Sequence, residues 1–329
     1  MTTFSQLLEQ FDNAAKTTAA KGRRFERFCQ SFLQVDPFWT TQFAEVWTWD
    51  EWPGRAGRVD TGVDLVARKA GSDDLVAIQC KFYSPSATLS WTNVSTFAGM
   101  LGSPEFSEGL LISTAGRVSD HVTKNLDSNE KTTRIWGVED FEQSRVDWSQ
   151  FSIQNPTSLV LALPKNLRPH QVAAIEDVTA GFAEHDRGQL IMACGTGKTL
   201  TSLRLAEQRV GVGGTVLFLV PSINLLSQTV LAWANDAELP LATFAVCSDT
   251  QAGRRKSDED MSANDLSFPA TTDMQQLSTA LAERATPDKM TVIFSTYQSI
   301  DVIIRAQREG LAEFDLVICD EAHRTTGAF

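Results

Sequence analysis

Hydrophobic spacing changes repeatedly along the chain. Phe4, Leu7, Leu8 and Phe11 recur at helical spacing and predict an amphipathic helix within residues 1–20. Lys21-Gly22-Arg23-Arg24 interrupts it, and a second helix follows with Phe25, Phe28, Cys29 and Phe32 on its apolar face, leaving Glu26 off the centre of that face. Phe38, Trp39, Phe43, Trp47, Trp49 and Trp52 alternate with apolar residues, which favours core packing over base stacking. Two β-rich runs, residues 58–68 and 75–81, flank a hairpin-like turn at Ala70–Asp74. Helices are then expected over 93–101 and 118–126, and strands over 110–113 and 133–138.

Asn155-Pro156 and Leu163-Pro164 break the pattern, so residues 1–153 and 167–329 read as two domains joined by a linker over 154–166. Pro169 opens a helix with Gln171 in its first turn. Leu190–Met192 reads as a buried strand running into Gly195-Thr196-Gly197-Lys198-Thr199, with a helix from Leu200. Strands follow at 215–220, 241–246, 290–294 and 314–319, with a helix over 224–234. Residues 248–273 form a polar, charged surface insertion. Repeated strand–helix units predict a doubly wound parallel sheet carrying its ligand at the strand carboxyl ends.

Composition narrows the class. Of 329 residues, 42% are hydrophobic and 21% charged, as in an ordinary soluble globular protein. No apolar stretch reaches membrane-spanning length and no signal peptide precedes the first helix, so a cytoplasmic protein is expected. The net charge of −12 argues against a protein that coats nucleic acid, though not against a local basic groove. Cys29, Cys80, Cys194, Cys247 and Cys319 lack metal-binding spacing and read as small buried thiols. His121 reads as a surface histidine.

Two stretches carry chemistry. In the first, alternation puts Asp64 on one face of its strand and Gln79 with Lys81 on one face of the next. A carboxylate and a neighbouring oxygen can bind Mg²⁺, and the lysine can orient water or stabilise phosphate charge. Asp60 is a lesser metal candidate. Lys21, Arg23, Arg24 and Arg27 can meet DNA phosphates or form a solvated helix face. In the second, glycines turn backbone N–H groups toward phosphates at a helix N-terminus. Lys198 would neutralise the β and γ phosphates, and Thr199 would hold Mg²⁺. Gln171 can read an adenine edge, Asp320 would fix Mg²⁺ and Glu321 would polarise the attacking water.

Gly22-x-x-Phe25-Glu26, Gly62-Val63-Asp64-Leu65, Gln79-Cys80-Lys81 and Gly109–Gly116 together resemble the Mrr-like branch of the PD-(D/E)xK nucleases. The resemblance implies that Asp64 and Glu26 hold the metal and Lys81 is catalytic, with Gln79 replacing the usual acid. Gln171, Met192–Thr199, Val220-Pro221-Ser222, Ser295-Thr296-Tyr297 and Asp320-Glu321-Ala322-His323 resemble, in order, the motifs of superfamily 2 helicases. Met192, where a first glycine is usual, resembles the restriction-enzyme translocases of that group.

The fold expected is therefore α/β, a PD-(D/E)xK (Mrr-like) nuclease domain followed by a RecA-like doubly wound parallel lobe. The order resembles the single-polypeptide, type ISP restriction-modification enzymes. It implies ATP and Mg²⁺ as cofactors, double-stranded DNA as partner, and residues 1–329 as the N-terminal part of a longer protein. A second RecA-like lobe, a methyltransferase and a target-recognition domain would follow. An antiphage or repair helicase–nuclease without modification activity is an alternative; so is a translocase whose nuclease fold only clamps DNA.

Overall fold

The computed structural model describes residues 3–13, 17–57, 62–152, 154–247, 266, 270–271 and 273–322. The chain divides into two compact units, Met1–Ala162 with Asn264–Phe268, and Leu163–Ala263 with Pro269–Phe329. No helix among the described residues is long and apolar enough to cross a membrane. Arg58, Asp60, His323, the side chain of Phe11 and most of the 248–273 insertion lie outside the described residues.

The first unit opens with α1 (Phe4–Asn13) and α2 (Thr18–Val35). The basic run at 21–24 does not interrupt α2. Thr17 caps the helix, its hydroxyl accepting from the Ala20 N–H at 3.3 Å. Phe25, Phe28 and Phe32 are fully buried further along. One internal glycine costs about 1 kcal/mol, less than that cap and burial contribute. Next come α3 (Trp39–Gln42), β1 (Phe43–Thr48), β2 (Leu65–Lys69) and β3 (Leu75–Lys81). Then follow β4 (Thr88–Leu89), α4 (Trp91–Met100), β5 (Phe106–Ser113), β6 (Arg117–Val118), α5 (Asp120–Asp127), β7 (Thr133–Trp136) and α6 (Val138–Gln143).

The central sheet runs β1-β2-β3-β5-β7. The β1–β2 and β2–β3 pairs are antiparallel; β3–β5 and β5–β7 are parallel. A cluster of Trp49, Trp52, Val66, Ala77, Phe97 and Phe106 packs together, with Phe97 supplied by α4 and Phe106 by β5. Phe4, Phe28, Phe32, Phe141 and Trp148 form a second, aromatic cluster joining α1, α2 and α6. The aromatics of 38–52 are thus structural: Phe38, Trp39, Phe43, Trp49 and Trp52 are all buried.

The second unit contains α7 (Pro169–Gly181), α8 (Lys198–Arg209), β8 (Thr215–Val220), α9 (Ile223–Asp236), β9 (Leu241–Val246), α10 (Met274–Arg284), β10 (Met290–Thr296), α11 (Ile300–Arg308) and β11 (Leu316–Cys319). Its sheet is wholly parallel in the order β11-β8-β10-β9. Residues from α10 and α11 pack with Leu217, Phe244 and Ile293 in one cluster. Trp233 of α9 meets Phe218 and Phe294 edge-on in another.

Two expectations are corrected here. Leu190–Met192 forms no strand, and Ile191 is 89% exposed. An apolar run becomes a strand only where a ladder receives it, and β11 pairs with β8 alone among the described strands. Cys194 and Cys319 are exposed rather than buried, because one lies in that unpaired stretch and the other on the sheet edge. Cys29, Cys80 and Cys247 are buried as expected.

Candidate functional site

In the first unit the β2–β3 hairpin sets the geometry. Leu65 stands opposite Ile78, the last rung of the β2–β3 ladder. The Asp64 N–H donates to the carbonyl of that same Ile78 at 2.9 Å, so Asp64 leaves the regular register beside the end of β3. The Cys80 N–H donates to Asp64 Oδ2 at 2.6 Å. Gln79 is 2% exposed, and its Nε2 donates to Gly62 O at 2.8 Å. That carbonyl can only accept, so the amide's orientation is fixed and Oε1 faces away. Oε1 is buried with no hydrogen-bond partner among the described residues. Gly62 sits at φ 100°, a conformation that favours glycine. Lys81 shares the Gln79 face of β3 and is half-buried.

Glu26 is half-buried on α2. Burial pushes up the Cys29 and Cys80 thiols, and the charges of Asp64 and Glu26 push in the same direction, so both acids lie near this thiol pair. The Phe25 and Phe82 rings, 5.5 Å apart, join the residue before Glu26 to the residue after Lys81. The structure thus gathers Glu26, Asp64, Gln79 and Lys81 around one end of the hairpin. Among the described residues no group of three or more His, Cys, Asp or Glu side chains could hold a metal ion. An oxygen set of two acids and an amide still suits a hard divalent cation. The orphaned Gln79 Oε1 is what such an ion would satisfy. Of the basic residues on α2, Arg27 is engaged by Glu51 at 2.6 Å and by Gln30 at 3.2 Å. That pair holds the Glu51 carboxyl at about 2, well below the usual range.

In the second unit, Gly195 and Gly197 adopt φ of 75° and 88°, and Gly197 caps α8. A Cβ on Gly197 would come within 2.4 Å of Gln171 Nε2. Gln171 is 3% exposed, not a surface amide. Its Oε1 accepts from the Arg168 N–H at 2.7 Å, and its Nε2 donates to Thr196 O and Gly197 O, each at 3.2 Å. The base-reading candidate is thereby tied to the phosphate loop. Lys198 and Thr199 open α8, two residues earlier than the hydrophobic pattern suggested. Lys198 Nζ lies 3.1 Å from Glu321 Oε1, and this hydrogen bond raises the lysine pKa. Asp320 Oδ1 accepts from the Glu321 N–H at 3.0 Å, and Glu321 takes φ 50°. A pocket of about 560 Å³ is lined by Arg168, Gln171, Gly195–Gly197 and Thr199, among others. The pocket thus gathers Gln171, Gly195–Gly197 and Thr199, while Lys198 is tied to Glu321 beside Asp320.

Sequence reasoning named Ser295–Tyr297 only as a motif and missed the structural support that they and other residues give. The Tyr297 hydroxyl donates to Asp320 O at 2.8 Å, fixing the turn that carries the acids. Ser295 and Thr296 are fully buried, and their hydroxyls brace the end of β10. Arg204 and Glu207 form a buried pair at 2.5 Å behind the phosphate loop. Thr114, also buried, holds the chain after Lys81. A loop threonine or an i,i+3 charge pair carries no signal in one sequence, because its partner is supplied by the fold.

Comparison with known proteins agrees with this two-part fold. A family model described as restriction endonuclease matches residues 34–158, and one described as type III restriction enzyme, res subunit, matches residues 164–328. No curated protein matches. The chain is similar to the solved structure of the ATP-dependent Type ISP restriction-modification enzyme LlaBIII bound to DNA, at 40% identity and a TM-score of 0.84. That match covers 100% of this chain and 20% of the other. A nuclease-deletion mutant of the Type ISP enzyme LlaGI, in complex with a DNA substrate mimic, matches at 48% identity and a TM-score of 0.41. It covers 48% of this chain and 15% of the other.

Proposed function

We propose, from the premise that this chain belongs to the type III restriction enzyme res-subunit family and carries a restriction-endonuclease region ahead of that part, that it is the nuclease and first motor lobe of an ATP-dependent DNA restriction enzyme. Its substrates are double-stranded DNA and ATP, with Mg²⁺ at both centres. The chain spans 20% of the length of the LlaBIII relative. A second RecA-like lobe, a methyltransferase and a target-recognition domain account for the remainder in the parent protein, which works in the cytoplasm. The nuclease domain covers residues 1–153, the linker 154–166 and the motor lobe 167–329.

The observation that carries this reading is the Asp64 carboxylate held by the Cys80 N–H at 2.6 Å, between Gln79 and Lys81 of β3, in a chain that also pairs Lys198 with Glu321. In the nuclease, Glu26, Asp64 and Gln79 would hold the metal, which supplies Lewis acidity and neutralises phosphate charge when bound. Lys81 presents its ammonium to the scissile phosphate and stabilises the charge that builds there. In the motor, Gln171 reads adenine, while Gly195–Gly197 and Lys198 cradle the phosphates. Thr199 and Asp320 would hold Mg²⁺, and Glu321 accepts a proton from the attacking water.

Plasmid cleavage by the full-length protein tests this, in Mg²⁺ with and without ATP. The expected result is ATP-dependent cutting that disappears in both Asp64→Ala and Lys198→Ala. DNA-stimulated ATP hydrolysis with no cleavage by wild type or Asp64→Ala would leave a translocase with a DNA clamp.

A further inference from the structure

We propose that Thr114 is a positioning residue for Lys81, acting through the backbone that follows it; this rests on the nuclease reading above. The parallel β3–β5 pair runs in register from Val76 with Glu108 to its last rung, Lys81 with Ser113. Beyond that rung both chains leave the sheet. The Thr114 N–H donates to Lys81 O at 3.1 Å. Its hydroxyl then makes both bonds of what would have been the next backbone rung. It donates to Tyr83 O at 2.7 Å and accepts from the Tyr83 N–H at 2.8 Å. Thr114 is fully buried, so no water substitutes for it.

A second contact holds the same two loops together. A Cβ on Gly116 would stand 2.0 Å from Pro85 O, an approach that only glycine permits. Further along, Thr88 pairs with Arg117 and Leu89 with Val118. The chain on the far side of Lys81 is therefore clamped at Tyr83, at Pro85 and again at β4–β6. On the near side it is held by the ladder. Lys81 sits between two fixed points, which limits how far its ammonium can drift from a reacting phosphate. Displacement of a catalytic group by about 1 Å can cost about a hundredfold in rate.

The hydroxyl is the part that matters. Valine keeps the shape of threonine but can neither donate nor accept; serine keeps both functions. In the full-length protein, Thr114→Val is expected to slow single-turnover DNA cleavage by about tenfold or more. Duplex affinity measured in EDTA should stay within about twofold, and DNA-stimulated ATPase should not change. Thr114→Ser should cut at close to the wild-type rate. Cleavage by Thr114→Val at the wild-type rate overturns the proposal. So does a loss of affinity in proportion to rate, or a serine variant as slow as the valine one, since either indicates general loosening. Lys81→Ala and Asp64→Ala run alongside. Wild-type cleavage by those two removes the nuclease reading itself, whereas an equal defect in Thr114→Ser and Thr114→Val, with Lys81→Ala and Asp64→Ala inactive, removes only the role given to the hydroxyl.

Discussion

Lys198 and Glu321, 123 residues apart in the chain, meet at 3.1 Å, so the candidate phosphate-binding lysine is held by the candidate water-polarising acid. The hydrogen bond to Glu321, with help from the Asp320 charge, raises the lysine above its ordinary value. It therefore stays protonated through neutral and mildly alkaline pH, and its part in ATP binding should not vary there. ATP must draw the lysine away from the acid. Glu321→Gln removes the competing charge. It should bind a fluorescent ATP analogue at least as tightly as wild type while hydrolysing ATP about a hundredfold or more slowly. Lys198→Ala should lose both. Equal hydrolysis by Glu321→Gln would remove this acid from the chemistry.

Asp36 predicts a pH effect on stability in the first unit. It is 1% exposed, and burial raises its carboxyl to about 7 even though the Phe38 and Trp39 N–H groups and the Arg145 charge oppose the shift. Because the folded state holds this proton more tightly than the unfolded state, stability is greatest below the ordinary carboxyl value of 3.8 and falls as pH rises toward about 7. The loss is on the order of a few kcal/mol. Asparagine keeps an oxygen for both N–H donors, which share Oδ1 at 3.0 and 3.2 Å. Urea denaturation of Asp36→Asn between pH 5 and pH 8 should give a flatter profile than wild type. A parallel profile would show that Asp36 stays ionised when folded.

How far the sequence disclosed these sites depended on whether chemistry or packing chose the residue. Gly195–Thr199 was legible because phosphate binding demands those types at that spacing. Its contact with Gln171 was equally required, since a Cβ on Gly197 leaves the amide no room. Gln79 and Lys81 were legible because strand alternation puts them on one face, and Asp64 because its Gly62-Val63-Asp64-Leu65 setting resembles the acidic strand of the nuclease family. The Leu190–Met192 strand was misjudged because its apolar run says nothing about which strand receives it. The basic run at 21–24 was misread as a break because the Thr17 cap that fixes the helix start lies outside it. Arg204 with Glu207 gave no signal in the sequence, because only the fold buries the pair.

That burial makes the Arg204–Glu207 pair energetically unlike its exposed counterparts. Both side chains are nearly inaccessible, and Arg204 also reaches Glu238 at 3.0 Å and Lys165 O at 3.3 Å. Removing the guanidinium leaves a buried carboxylate whose remaining partners among the described residues are the Glu238 and Leu239 N–H groups. Arg204→Ala should destabilise the second unit by about 3–5 kcal/mol. The exposed pair of Arg68 with Glu45, at 2.7 Å, should contribute no more than about 1 kcal/mol. Chemical denaturation of the two variants decides whether burial rather than distance sets the value; equal losses would contradict it.

Gln79 offers the most direct test of ion binding, because the substitution that suits a cation harms the empty site. Glutamate cannot donate to Gly62 O, now 2.8 Å from Nε2, and it adds a charge at a position 2% exposed. In EDTA, Gln79→Glu should be less stable than wild type by about 1–3 kcal/mol from the lost hydrogen bond alone. A divalent cation shared with Asp64 would neutralise that charge and bind the folded state selectively, which raises stability with ion concentration. Mg²⁺ should therefore stabilise Gln79→Glu more than wild type, and Asp64→Ala should abolish the difference. If Gln79→Glu denatures identically in EDTA and in Mg²⁺, the amide oxygen does not face the ion, and its orphaned state needs another partner.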